Sequence, residues 1–131
     1  MKSVGFDTCV LLRLLIGEPA AQAKQSHTYL EECYLSGVTV YITDLVVAET
    51  YHALCHHYSV PSLEAVDALS AFLSSPMVTP SGHALTVLCA YKGTGAGFVD
   101  RLIRSEILEK AEEVVTFDKK FSQLPNVIRL A

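Results

Sequence analysis

The chain has 131 residues, half of them hydrophobic and 18% charged, with 10 basic against 14 acidic side chains and a formal net charge of −4. That length suits one domain spanning residues 1–131 with its own core, and the composition excludes disordered and fibrous classes. It also excludes the strongly basic footprint common among nucleic-acid binders, while a positive mean hydropathy of +0.33 without a long apolar run suggests apolar surface that a partner covers.

Short β-branched runs alternate with longer helical stretches along the chain. Val4-Gly5-Phe6 reads as a strand closed by Asp7-Thr8, and Cys9 to Ile16 as a helix stopped by Gly17-Glu18-Pro19. A second helix over Ala20 to Ser36 ends at Gly37, and Val38–Ile42 is the clearest strand. Thr43 or Asp44 can cap the next helix, which runs to about Tyr58, and Ser62 is placed to cap a helix over Leu63–Leu73. Met77-Val78-Thr79 reads as a strand, Ser81 to Lys92 as a helix, and Gly93–Gly97 as a mobile break before a helix over Val99–Lys110. Val114–Thr116 and Val127–Leu130 are the remaining strands. Strands separated by helices long enough to cross over give the fold class α/β, with a parallel sheet and helices on both faces.

Val10–Ile16 is too short to span a membrane and contains Arg13, and Asp7 interrupts any leader-like apolar stretch. Cys9, Cys33, Cys55 and Cys89 form no C-x-x-C pair and stand in apolar, helix-like contexts, so they read as reduced, buried thiols of a cytoplasmic protein.

Open parallel sheets bind ligands beyond the carboxyl ends of their strands, where Asp7 and Asp118 fall. Glu49 lies about two turns into the helix after Val38–Ile42, and Asp100 lies in the first turn after the glycine break. Singly, the three aspartates can be turn or cap residues or complements to a helix N-terminus. Glu49, in an otherwise apolar helix, is expected to face inward and to need a partner. If the four converge, their mutual repulsion calls for a counter-charge, and few basic residues are placed to supply it. Oxygen ligands without an accompanying His/Cys set favour Mg²⁺ or Mn²⁺. A carboxylate-held metal presents positive charge to a phosphodiester, which lets an acidic protein hydrolyse nucleic acid.

Four segments in order resemble the motifs of PIN domains: Phe6-Asp7-Thr8-Cys9-Val10-Leu11-Leu12, Ala48-Glu49-Thr50, Gly97-Phe98-Val99-Asp100-Arg101-Leu102-Ile103 and Val115-Thr116-Phe117-Asp118-Lys119-Lys120-Phe121. The resemblance runs from Asp7 to Leu130 and implies a three-layer α/β/α fold around a mainly parallel sheet of four to five strands. It further implies a Mg²⁺- or Mn²⁺-dependent ribonuclease, similar to VapC-type toxins of toxin–antitoxin pairs, with an RNA substrate, a homodimer and a cognate antitoxin as partners. Carried over position by position, Asp7 and Asp100 touch metal directly, Glu49 binds or orients metal and water, and Asp118 completes the pocket. Thr8 and Thr116 would donate hydroxyl hydrogen bonds that steady the acids and the water. Many PIN domains have a further acid three residues before the third motif's aspartate, where this chain has Gly97.

Three other readings compete. A PIN-like module that binds RNA or protein without cutting would have no use for four mutually repelling acids. A haloacid dehalogenase-type phosphatase shares Phe-Asp-Thr after a first strand, but Cys9 occupies the place of its second aspartate. Glu49-x-x-His52 is half of a di-iron pattern whose second half is missing, so His52, His56 and His57 read as helix-end or dimer-contact residues, with lining of an RNA path as the alternative for His52. Arg13, Lys92, Arg101, Arg104, Lys119 and Lys120 are the basic side chains available to RNA phosphates or to solvent.

Overall fold

Backbone pairing, periodicity and caps place the elements largely where the residue pattern puts them; the computed structural model describes residues 2–131. Strands β1 (Ser3–Gly5), β2 (Thr39–Ile42) and β3 (Thr79–Pro80) form a parallel sheet in that order. Strands β4 (Val114–Thr116) and β5 (Val127–Arg129) form a separate parallel pair. The helices are α1 (Thr8–Ile16), α2 (Ala20–Leu35), α3 (Asp44–His56), α4 (Ser62–Leu73), α5 (Ala84–Ala90) and α6 (Phe98–Ile107). The α/β class and the parallel strands are as expected, but the hydrogen-bonded strands divide as three plus two instead of forming one sheet of four to five. The ribbon closes on its own turn: Val114 and Phe121 are buried apart from the main core, and a 3₁₀ turn over Phe121–Gln123 packs on both β4 and β5.

The main core is built from Leu11, Val40, Ile42, Val47, Leu69, Leu88 and Phe98, all at 0–1% exposure. In β2 the strand alternation seals Val40 and Ile42 while Tyr41 between them stays 42% exposed. Helix α1 packs on α2 and α3, and α3 to α6 pack in succession, so the N-termini of α1 and α6 are carried on a shared core.

Several boundaries move for local reasons. Val78 N–H bonds Ser75 C=O and Met77 N–H bonds the Ser75 hydroxyl, so Met77-Val78 is a turn and the third strand starts at Thr79. Thr43 caps α3 by accepting from Val46 N–H, whereas Asp44 reaches across to α5 and accepts from His83 N–H at 3.0 Å and Ala84 N–H at 2.9 Å. That cap starts α5 at Ala84, shorter than the helix expected from Ser81. Gly82 is required there, because a Cβ would stand 2.4 Å from Asp44 Oδ2. Ser62 opens α4 without capping it; its hydroxyl pairs with Tyr51 OH at 2.6 Å. Of the four thiols only Cys33 is buried; Cys55 is half-buried and Cys9 and Cys89 are exposed, so the buried set expected from the sequence is corrected.

Candidate active site

Asp7 follows β1 by two residues and serves as the N-cap of α1, its Oδ1 accepting from Val10 N–H at 3.1 Å. Asp118 follows β4 by two residues, and its Oδ1 accepts from Phe121 N–H at 2.9 Å. Each local hydrogen bond aims the carboxylate and occupies Oδ1, while Oδ2 makes no protein hydrogen bond among the described residues. Asp44 also follows a strand end, but both of its oxygens are spent on α5.

Glu49 corrects one expectation. It is exposed, and the residue sealed into the core beside it is Thr50, whose hydroxyl donates to Val46 C=O at 2.7 Å. The α3 face that carries Glu49 turns toward the start of α1, where Thr8 Oγ1 donates to Glu49 Oε1 at 3.2 Å. Thr8 thus donates to one of the four acids. The Thr116 hydroxyl accepts from Asp118 N–H at 3.0 Å, steadying the backbone at Asp118.

Asp100 sits half-buried in the first turn of α6. Burial, and behind it the negative charge of Asp118, push its carboxyl above the ordinary aspartate range. Phe98, just before it, is 1% exposed and meets the Tyr51 ring edge-on at 5.1 Å, so α3 sets the position of this turn. Burial also raises the Tyr51 phenol.

A cavity of about 420 Å³ joins these elements, with Thr8 from α1, Glu49 from α3 and Val99 from α6 in its lining. A second cavity, of about 450 Å³, opens against β1, α1 and α2 and contains none of the four acids. Of the four acids, Glu49 lines this cavity and is held by Thr8 of α1, while the charge of Asp118 is felt at Asp100. Among the described residues the only ion pair is His83–Glu109, so no basic side chain neutralises any of the four. Nor do any three His, Cys, Asp or Glu side chains there stand close enough to hold an ion as they are. The donor chemistry suits a hard divalent cation, and the Asp100–Asp118 repulsion is what such a charge would relieve.

The glycine-rich segment before α6 is tied to that helix by Arg101. Arg101 Nε donates to Ala96 C=O at 2.8 Å and its Nη2 to Thr94 C=O at 3.1 Å, with the guanidinium 5.5 Å from the Tyr91 ring centre. Gly93 and Gly95 take φ of 85° and 73°, which explains two of the loop's glycines. Arg104 is engaged with Pro125 C=O and Arg13 with Gln22, leaving Lys92, Lys119 and Lys120 as the exposed cations of the six expected. The sequence reading missed Asp44, Tyr51 and Arg101 as positioning residues, because their partners lie on other elements or are backbone atoms that side-chain patterns do not display.

No curated protein matches the chain significantly. The family model for the PIN domain matches residues 5–127, a span that includes all four acids. PIN domains are commonly nucleases and typically use divalent metals. With parallel strands and helices in the expected order and this match over nearly its whole length, the chain belongs to the PIN domain family.

Proposed function

We propose that this protein is a metal-dependent endoribonuclease, with Asp7, Glu49, Asp100 and Asp118 as its acidic centre. The observation that carries the reading is that the PIN-domain match spans all four acids and that none of them is paired with a basic side chain among the described residues. Asp7 and Asp100 would hold Mg²⁺ or Mn²⁺ directly, Glu49 would bind or orient the ion and a water, and Asp118 would complete the set. When bound, such a cation supplies Lewis acidity toward the phosphodiester and lowers the pKa of an attacking water. The chain's own part is positional. Val10 N–H and Phe121 N–H aim Asp7 and Asp118, Thr8 fixes Glu49, and the Tyr51–Phe98 contact fixes the turn that presents Asp100. Water then attacks phosphorus in line with the departing oxygen, and the ribose 2′-hydroxyl takes no part as nucleophile.

The biological setting proposed is the toxin half of a VapBC-type pair acting in the cytoplasm, as a homodimer restrained by an antitoxin. Exposed apolar side chains support a partner surface. Val115 and Ile128 are paired across the β4–β5 ribbon, and they, Phe117 and Leu130 are each 41–72% exposed. Among the described residues no helix is long and apolar enough to cross a membrane.

Product ends test the chemistry. Incubation of single-stranded RNA with the protein and Mn²⁺ is expected to give fragments without 2′,3′-cyclic phosphate. Cyclic ends, or cutting that persists in excess chelator, would contradict the reading.

A further inference from the structure

The cavity between α3 and α6 contains more than Glu49 and its partner Thr8. Its apolar wall is made by Ala48, Ala53 and Val99, and two imidazoles, His52 and His57, complete it. The His52 ring packs against that of His56, with centroids 4.3 Å apart and planes at 39°, so a neighbouring ring limits its freedom. His52 is exposed and pairs with no carboxylate among the described residues.

Apolar walls and planar rings suit an unstacked base, and Glu49 stands in the same lining. Every base offers a π-face, and single-stranded nucleic acids are held by stacking on aromatic side chains, histidine included. From α3–α6 packing we infer that this cavity is a nucleobase subsite, in which His52 stacks on a base next to the phosphate presented to Glu49. The inference rests on the nuclease reading for its substrate class, and it gives His52 a binding role and not a proton-transfer role. An unstacked base held there would favour single-stranded over duplex RNA.

The test uses the full chain and two labelled oligomers of equal length, a mixed-sequence single-stranded RNA and its abasic ribose-phosphate counterpart, with binding read by fluorescence anisotropy. The wild type is expected to bind the RNA roughly tenfold more tightly than the abasic oligomer. His52→Ala should bind both about equally, and His52→Phe, which keeps a stacking face without an ionisable ring, should restore the preference. Equal binding of both oligomers by the wild type would overturn the subsite, as would an unchanged preference in His52→Ala. Cleavage of the same RNA with Mn²⁺ separates the two readings, because a protein that prefers bases without cutting loses only the nuclease assignment. In a cutting protein, loss on His52→Ala confined to kcat with KM unchanged would assign His52 to proton transfer and overturn the stacking role.

Discussion

Asp100 concentrates the electrostatics of the site. Its carboxyl is raised first by burial and then by Asp118, so the folded protein holds this proton to a higher pH than the unfolded chain does. The protonated form therefore contributes stability below the ordinary aspartate range, and that contribution is lost as pH rises through the folded pKa. Asp100→Asn keeps the shape without the charge. The metal-free variant should melt above wild type at neutral pH, and the difference should shrink below about pH 3.5, where the wild-type carboxyl is protonated in both states; thermal melts across pH check this. The motif residues were legible because each of Asp7, Asp100 and Asp118 sits at an element boundary that local pattern marks. The openness of Glu49 was not legible, since whether a helix face meets core or cleft depends on how α1 and α3 pack.

Helix α5 shows what side-chain periodicity alone leaves out. Its N-terminus depends on a carboxylate from another element, so Asp44→Ala should cost about 1–2 kcal/mol through two unsatisfied N–H groups. Gly82→Ala should also destabilise, because the added methyl collides with that carboxylate. Denaturant unfolding of both variants reads the effect, and the combined variant should fall short of additivity because the two changes strike one contact. In the glycine-rich loop, Arg101→Ala should raise amide exchange over Gly95–Gly97, since two carbonyl acceptors lose their donor. The helices were legible from apolar spacing and stop signals. The strands were less so: at two to four residues each, they are too short for alternation to set their ends, and turns such as Ser75–Val78 take residues that look like strand.

At the scale of the molecule, strand direction places two of the acids and helix packing a third. Parallel strands deliver Asp7 and Asp118 at their carboxyl ends, and the α3 and α6 helices bring Glu49 and Val99 to a shared cavity. The separation of the β4–β5 ribbon from the three-stranded sheet was not legible, because strand sequence states propensity and not which edges meet. A protein that gains its counter-charge by binding should be stabilised by it, by about 2.7 kcal/mol at a hundredfold excess of Mn²⁺ over Kd. A melting temperature indifferent to Mn²⁺ would instead fit a module that binds without cutting. The most direct measurement is cleavage of a labelled single-stranded RNA with Mn²⁺ by wild type, Asp7→Asn and Asp100→Asn, each verified as folded by circular dichroism. Cutting by wild type and none by either variant is the predicted result; equal cutting by all three would contradict the acidic centre.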